Sequence, residues 1–566
     1  MSVNKAITVG AAVALSFSAG VALPAAAGAA TPVARAASAP GTVTVFTGQV
    51  GNFVENFDPF NATGSALQPT LGVIYEGLFY YNKARAQAPV PVLGTSFKWN
   101  KKGTVLTVSV RKGVKWSNGT PLTAADVAYS LNLVDRQKAL NTTGTTWHAA
   151  VGKGNTVIIK FPSTAFTLEA QLLGNEPIVP EAIWKKIPNP TSVINSSPVG
   201  SGPYELQKFT PQTVLMVKNP HYWGTGANKP VINQVRYISL ANADAATTAL
   251  ETGAVDYMGG FLPTLKQIVA SNKNIVYSNT PQATTALITC SNAALGCTGP
   301  QTDVAVRQAI YYAVDRAQLN AQAEADYAKP ASPTLLPNFI NQAQIENPAW
   351  KAVPQTANVA KATQILKADG WTKNSSGYLQ KDGKELDLTV NVVSGWADYD
   401  TDCTLLQGQL QAVGIKLTVN EMAQQAWTQA EVSGNFQLSL NSINMGPSSN
   451  PYYTYDSYLD SAATAKVGSA ATTNTSRFSN PAVDAAIASL VKTDNPKVEA
   501  ADYKTIQSAI VTAIPDIPLY VNQALTEYNK KSATGWPSAS NLYAFPLPWG
   551  GNYGLGIVLK RVRPVS

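Results

Sequence analysis

The chain has 566 residues, too many for one compact core, and 45% of them are hydrophobic against 13% charged. These numbers predict two or three folded domains and set aside a disordered chain. The net charge is +8, but Lys and Arg are scattered, the densest run being Lys560-Arg561 with Arg563 near the end; a nucleic-acid binder gathers them into patches, so that class is set aside too.

Lys5 precedes an apolar, Ala-rich run from Ala6 to Leu23, followed by Pro24 and small residues from Ala25 to Ala29. Charge, apolar stretch and small-residue cleavage site predict a Sec-type signal peptide; the rival reading is an uncleaved anchor. Neither a twin arginine nor a lipid-anchor cysteine lies near the cleavage site, so the expected destination is the periplasm or the extracellular, cell-wall zone. Residues 1–39 are read as signal plus low-complexity leader.

A strand is predicted over Thr42–Thr47, and the run Ile74-Tyr75-Glu76-Gly77-Leu78 is expected to pack inward. Leu106, Val108 and Val110 alternate with polar residues, as in a half-buried strand. Asn118-Gly119 is a turn dipeptide, and Thr123 stands three residues before Asp126, the spacing of a capping box at a helix start. The segments from Pro198 to Tyr204 and from Asn219 to Gly224 read as turns. A helix over Ala245–Leu250 should end at Gly253, ahead of a strand at Val255–Tyr257.

In the second half, Thr302 or Asp303 should cap a helix bearing Val306, Ile310 and Ala313 and ending near Asp315-Arg316. A helix with Val359, Ala362, Ile365 and Leu366 stops at Gly370, the residue suited to a left-handed C′ position. Leu386, Leu388 and Val390 alternate as a strand. Cys403, Leu406, Leu410 and Val413 share a helix face, which predicts a buried, inert thiol; Gly414 ends that helix, and Ile415, Leu417 and Val419 alternate after it. Asn480-Pro481 opens a further helix with proline at its favoured first position, and another runs from about Pro496 to Pro515. Cys290 and Cys297 enclose a short loop; outside the cell they are expected to form a disulfide, two unlinked thiols being the alternative. Mixed strands and helices without a repeat suit two α/β lobes.

Several segments together resemble extracellular solute-binding protein family 5, the dipeptide- and oligopeptide-type receptors that feed ABC transporters. They are Tyr75-Glu76-Gly77-Leu78, the block from Arg111 to Val127, Gly200-Ser201-Gly202-Pro203-Tyr204, Asn219-Pro220-His221-Tyr222-Trp223 and Gly253-Ala254-Val255-Asp256. Val306-Arg307-Gln308-Ala309, Ala313-Val314-Asp315-Arg316, Leu410 to Ile415 and Arg477-Phe478-Ser479-Asn480-Pro481 follow in the same order. The resemblance implies an α/β, two-lobed periplasmic-binding-protein-like fold with an extra third subdomain and a hinge of two crossing segments. It places lobe I at residues 40–75, 188–283 and 526–566, the extra subdomain at 76–187 and lobe II at 284–525. It implies a monomer that captures a small-molecule or peptide ligand and hands it to the ABC permease and ATPase subunits.

Peptide-binding members carry a Trp and an Asp before an Asp-Pro pair, the first Asp meeting the peptide's α-ammonium. In this chain Ile443 stands at the Trp, Gly446 at that Asp, and Asn450-Pro451 replaces Asp-Pro. A buried ammonium without a counter-charge costs several kcal/mol, so Asp398, Asp400 or Asp402 would have to supply it, or the ligand is neutral, as an oligosaccharide is. The residues expected at the ligand are Trp396, Asp398 and Tyr399 after one strand, Asn444, Met445 and Gly446 after another, Asn61 and Thr63 in an early loop, and Tyr520 near a lobe crossing. No metal or cofactor is expected. His148 and His221 are the two histidines and lie in unrelated motifs, and no nucleophile elbow or Cys-x-x-Cys appears, so the chain is read as no enzyme; a secreted carboxylate-pair hydrolase, which has no sequence motif, is the rival.

Overall fold

The computed structural model describes residues 41–49, 51–61, 69–137, 139–141, 145–471, 473–549 and 553–565. The expected signal peptide and leader, and Thr63, lie outside the described residues.

Local signals act as their chemistry requires. Leu106, Val108 and Val110 are buried on one face of the strand Val105–Val110. After the turn, where Gly119 takes φ +83°, helix α1 (Ala124–Arg136) opens on a capping box: Thr123 Oγ1 accepts the Ala125 N–H, and Asp126 accepts the Thr123 N–H at 2.9 Å. Asp303 caps the helix Val304–Ala313, and Gly253, Gly370 and Gly414 all take positive φ just past their helices.

The main sheet has two parallel sections. In the first, β1 (Thr42–Phe46) pairs with β2 (Gln234–Ile238) and β3 (Tyr257–Gly259). Two long antiparallel strands, β4 (Ile275–Thr289) and β8 (Asp516–Asn529), lead from there to the second section, in which β5 (Asp387–Val393) lies between β6 (Lys416–Met422) and β7 (Leu438–Ile443). Ile275 and Tyr528 belong to apolar cores of the first section; Leu287 and Leu519 belong to a core of the second. The β4–β8 ladder shifts register between Pro281 and Ala283 and again between Thr285 and Ala286. Bulges bend a strand pair and weaken it locally, so the two lobes are joined by a hinge of two crossing segments. The loop after Glu324 also straps one lobe to the other. Tyr327 packs in a first-section core, and Ala325 accepts the Lys266 ammonium at 2.6 Å.

The segments that carry the family resemblance meet in space. Glu76 accepts the Tyr222 hydroxyl and the Trp223 indole N–H, each at 2.9 Å, and lies 3.7 Å from the Lys560 ammonium; the Arg111 guanidinium sits 4.1 Å over the Trp223 ring. A Cβ on Gly200 or Gly202 would fall 1.9 or 2.1 Å from the carbonyl oxygens of Ile74 and Val73, so only glycine permits that approach. Arg307, Arg316 and Arg477 are buried, and each donates to several backbone carbonyls. Cys290 and Cys297 are joined by a disulfide, and Cys403 is buried.

Candidate functional site

In open α/β sheets, ligands bind outside the carboxyl ends of the parallel strands. β5 ends at Val393 and leads through Gly395, at φ +87°, into helix α2 (Ala397–Ala412). That short turn holds Trp396 37% exposed, its ring edge-on to Tyr399 at 5.6 Å and to buried Trp427 at 5.9 Å. Trp396 is therefore both an exposed platform and a piece of its own lobe's packing. Tyr399 is buried; its hydroxyl lies 2.8 Å from Ser442 Oγ and 3.3 Å from Thr285 Oγ1. Asn522 donates to the same Ser442 Oγ at 3.0 Å and accepts the Ala283 N–H at 3.1 Å. The support of the Trp396 platform thus runs directly into both crossing strands at their bulges. Asp398 is half-buried in the first turn of α2, where burial raises its pKa and helix N–H groups partly offset the rise.

At the end of β7, Asn444 donates its N–H to the Tyr458 hydroxyl at 3.1 Å. Met445, next along the chain, is buried at 5% exposed. Gly446 takes φ +75°, and a Cβ there would meet Tyr453 Cβ at 2.7 Å. The position thus lacks both a carboxylate and the room for one. Asn61 is half-buried and donates to the Thr191 carbonyl at 3.4 Å. The expected place of Tyr520 at the ligand is corrected. It is 2% exposed within the second lobe's core, and its hydroxyl donates to Asp402, so it supports the lobe instead of facing a ligand.

Sequence reading missed a cavity of about 380 Å³ lined by Tyr81, Trp99, Phe166 and Glu169 on one side and by Tyr452 and Tyr503 on the other. Glu169 accepts the Tyr81 hydroxyl and the Trp99 indole N–H, both at 3.0 Å, and the Tyr453 hydroxyl spans the two sides to the Thr167 carbonyl. These residues come from segments hundreds of positions apart, so no spacing signals them; the one local hint is the tyrosine density of Tyr452-Tyr453 with Tyr455 and Tyr458. Trp549, 41% exposed against Gly48 just past β1, is a second half-exposed tryptophan that the sequence did not single out.

Beside the hinge, Glu324 and Asp402 are 3% and 0% exposed. Burial, with the charge of Asp398 adding, pushes Glu324 up to about 8, and burial with the Glu324 charge holds Asp402 well above the carboxylate range. Burial likewise pushes Asp516 up to about 8 and Glu431 to about 7. These groups hold protons in the folded chain that they release when unfolded, where carboxyls titrate near 4. Between about pH 4 and pH 8 the folded state binds more protons, so stability falls as pH rises through that window. Urea midpoints are expected to be higher at pH 5 than at pH 8; a midpoint that climbs toward pH 8 would contradict this assignment.

A family profile described as "Bacterial extracellular solute-binding proteins, family 5 Middle" matches residues 88–466. Protein XP55 of Streptomyces lividans is 27% identical over 420 residues, covering 72% of this chain and 71% of its own. The glutathione-binding protein GsiB of Shigella dysenteriae is 26% identical over 510 residues, covering 88% and 92%. A periplasmic oligopeptide-binding protein of Thermotoga maritima superposes with a TM-score of 0.84 at 21% identity, over 93% of this chain and 99% of its own. Its mannohexaose-bound form superposes at 0.77, at 22% identity, over 93% and 98%. At that identity these two structures speak to the two-lobed fold alone.

Proposed function

The chain belongs to the bacterial extracellular solute-binding proteins of family 5, and from that premise we propose that its ligand is of the peptide class, held between the lobes beside Trp396. It is the substrate-binding component of an ABC import system, and family members are binding proteins that pass their solute to a permease. In this reading the chain is exported by its Sec-type signal, acts as a monomer, and releases its ligand chemically unchanged. The proposed lobe I (40–75, 188–283, 526–566) and lobe II (284–525), with the extra subdomain (76–187), bend against each other at the β4–β8 bulges.

The observation that carries the proposal is the chain of contacts Trp396–Tyr399–Ser442–Asn522, which ties an exposed aromatic surface to the hinge. A ligand that contacts the second lobe at Trp396 and the first lobe only when closed shifts the population toward closure by its differential affinity. Peptide-type relatives and neighbours favour the class. A second reading, a neutral oligosaccharide, is supported by the absence of room for a carboxylate at Gly446 and by the mannohexaose-bound neighbour.

Thermal-shift screening of di- and oligopeptides against oligosaccharides separates the two, since a ligand at about 100 times its Kd stabilises by about 2.7 kcal/mol. Stabilisation by sugars alone would end the peptide assignment, and products recovered cut or modified would end the binding-only role. Trp396→Ala is expected to weaken the ligand found in that screen about tenfold, the loss of one well-packed aromatic contact, with a modest fall in melting point from the lost ring contacts with Tyr399 and Trp427. A large drop in melting point would instead make Trp396 a core residue.

A further inference from the structure

We propose that the cavity between the extra subdomain and the second lobe binds an organic cation, an alkylammonium or guanidinium group borne by the captured solute. The proposal rests on the receptor reading above and names the ligand chemistry of one part of the cleft.

The cavity is walled by aromatic rings from both sides: Trp99 and Phe166 from the subdomain, Tyr452 and Tyr503 from the lobe. Its ionisable carboxyl groups are Glu169, Asp494 and Glu499, and none of the residues lining it is Lys, Arg or His. Lys492 and Lys497, on the same segment as Asp494, are exposed and do not line it. Asp494 and Glu499 flank the start of helix α3 (Pro496–Ala513), where acidic groups also complement the helix dipole. That accounts for their presence at a helix start. It does not account for Glu169, which comes from the opposite wall and is held in place by Tyr81 and Trp99.

Charge then decides between ligand chemistries. A neutral hydroxylated ligand would desolvate these carboxylates and return only hydrogen bonds to them. A cation returns the counter-charge and also lies over indole and phenol faces, whose quadrupoles attract it. An anionic group would face three carboxylates without a basic partner. Burial raises the Glu169 carboxyl, with the hydrogen bonds from Trp99 and Tyr81 partly offsetting the rise, and burial together with the negative charge of Asp494 raises Glu499. A volume of about 380 Å³ fits a side chain or headgroup and not a whole oligomer, so the cavity would serve as one subsite of a longer ligand.

The test is calorimetric titration of Ala-Ala-Lys-Ala-Ala, of its norleucine and glutamate counterparts, and of mannohexaose. The lysine peptide is expected to bind about tenfold tighter than the norleucine peptide, between the size of an exposed and of a fully desolvated cation–π contact, and added salt should weaken the lysine peptide alone. In Glu169→Gln/Glu499→Gln the lysine-to-norleucine ratio should collapse toward one. The salt series uses unmodified protein, so the proposal stays testable if that variant misfolds. Equal binding of the three peptides overturns the cation site and leaves the receptor reading standing. Binding of mannohexaose alone overturns the cation site and transfers the receptor to neutral solutes. Failure of all four probes overturns it as well, and the broader thermal-shift panel then judges the receptor reading separately.

Discussion

Replacing Glu76 with alanine is expected to cost about 3–5 kcal/mol of stability, the loss typical of breaking a buried ion pair from one side. The carboxylate is 3% exposed and serves three partners at once: Tyr222, Trp223 and Lys560. Lys560 is as deeply buried as its partner. Burial pushes the Glu76 carboxyl up and the Lys560 ammonium down, in each case outweighing the attraction between them. The pair is therefore costly to bury, and more costly to leave half-made. In Glu76→Ala, the ammonium stays in an apolar site with only the faces of Tyr222 and Trp223 beside it, at 5.7 and 5.5 Å. Urea unfolding should show a lower midpoint with an unchanged slope. The double variant Glu76→Leu/Lys560→Met should recover part of the loss, because it removes both charges together. A loss below about 1 kcal/mol in the single variant, the range of surface pairs, would mean that the site is wetter than its burial implies.

Arg316→Met is expected to be nearly as damaging, by about 3 kcal/mol, because it strips donors from several buried carbonyls at once. The guanidinium is 1% exposed and donates to the carbonyls of Pro518, Tyr311 and Pro354 at 2.9–3.1 Å, with the Tyr311 ring 4.9 Å from its centre. Burial lowers its pKa to about 10, so it remains charged at neutral pH. Pro518 lies on β8, and the variant should therefore loosen the second lobe where the crossing strand enters it. Arg316→Lys should rescue little, since a single ammonium cannot reproduce a planar fork that reaches carbonyls on separate segments. Melting curves of the two variants decide this. A lysine variant that melts with the natural protein would show that charge, and not the fork, is what the site requires.

How far each feature was legible follows from the range of the interaction that makes it. The capping box at Thr123, the left-handed stops at Gly253, Gly370 and Gly414, and the alternation of Leu106, Val108 and Val110 depend on residues a few positions apart, and a window of the chain contains everything that sets them. The order of such segments along the chain also identified the receptor family, because folds preserve turns, caps and close approaches such as Gly200 and Gly202 against Val73 and Ile74. The candidate site was legible only in part. Trp396 stands where the strand-to-helix turn was expected to put it. Tyr520 went into the core instead, because strand alternation does not reveal which neighbour covers a given face.

By itself, the amino-acid sequence determined many of the local elements, the two-lobed α/β class and the role of solute receptor, but not the long crossing strands β4 and β8. Tertiary structure alone decided that Glu76, Tyr222, Trp223 and Lys560 share one buried site, that Gly446 has no space for a side chain, and that aromatic and acidic residues from Tyr81 to Tyr503 enclose a single cavity. The reason is physical. Backbone preferences are paid residue by residue along the chain, whereas burial, charge pairing and cavity shape are set by groups that become neighbours only after long loops have closed.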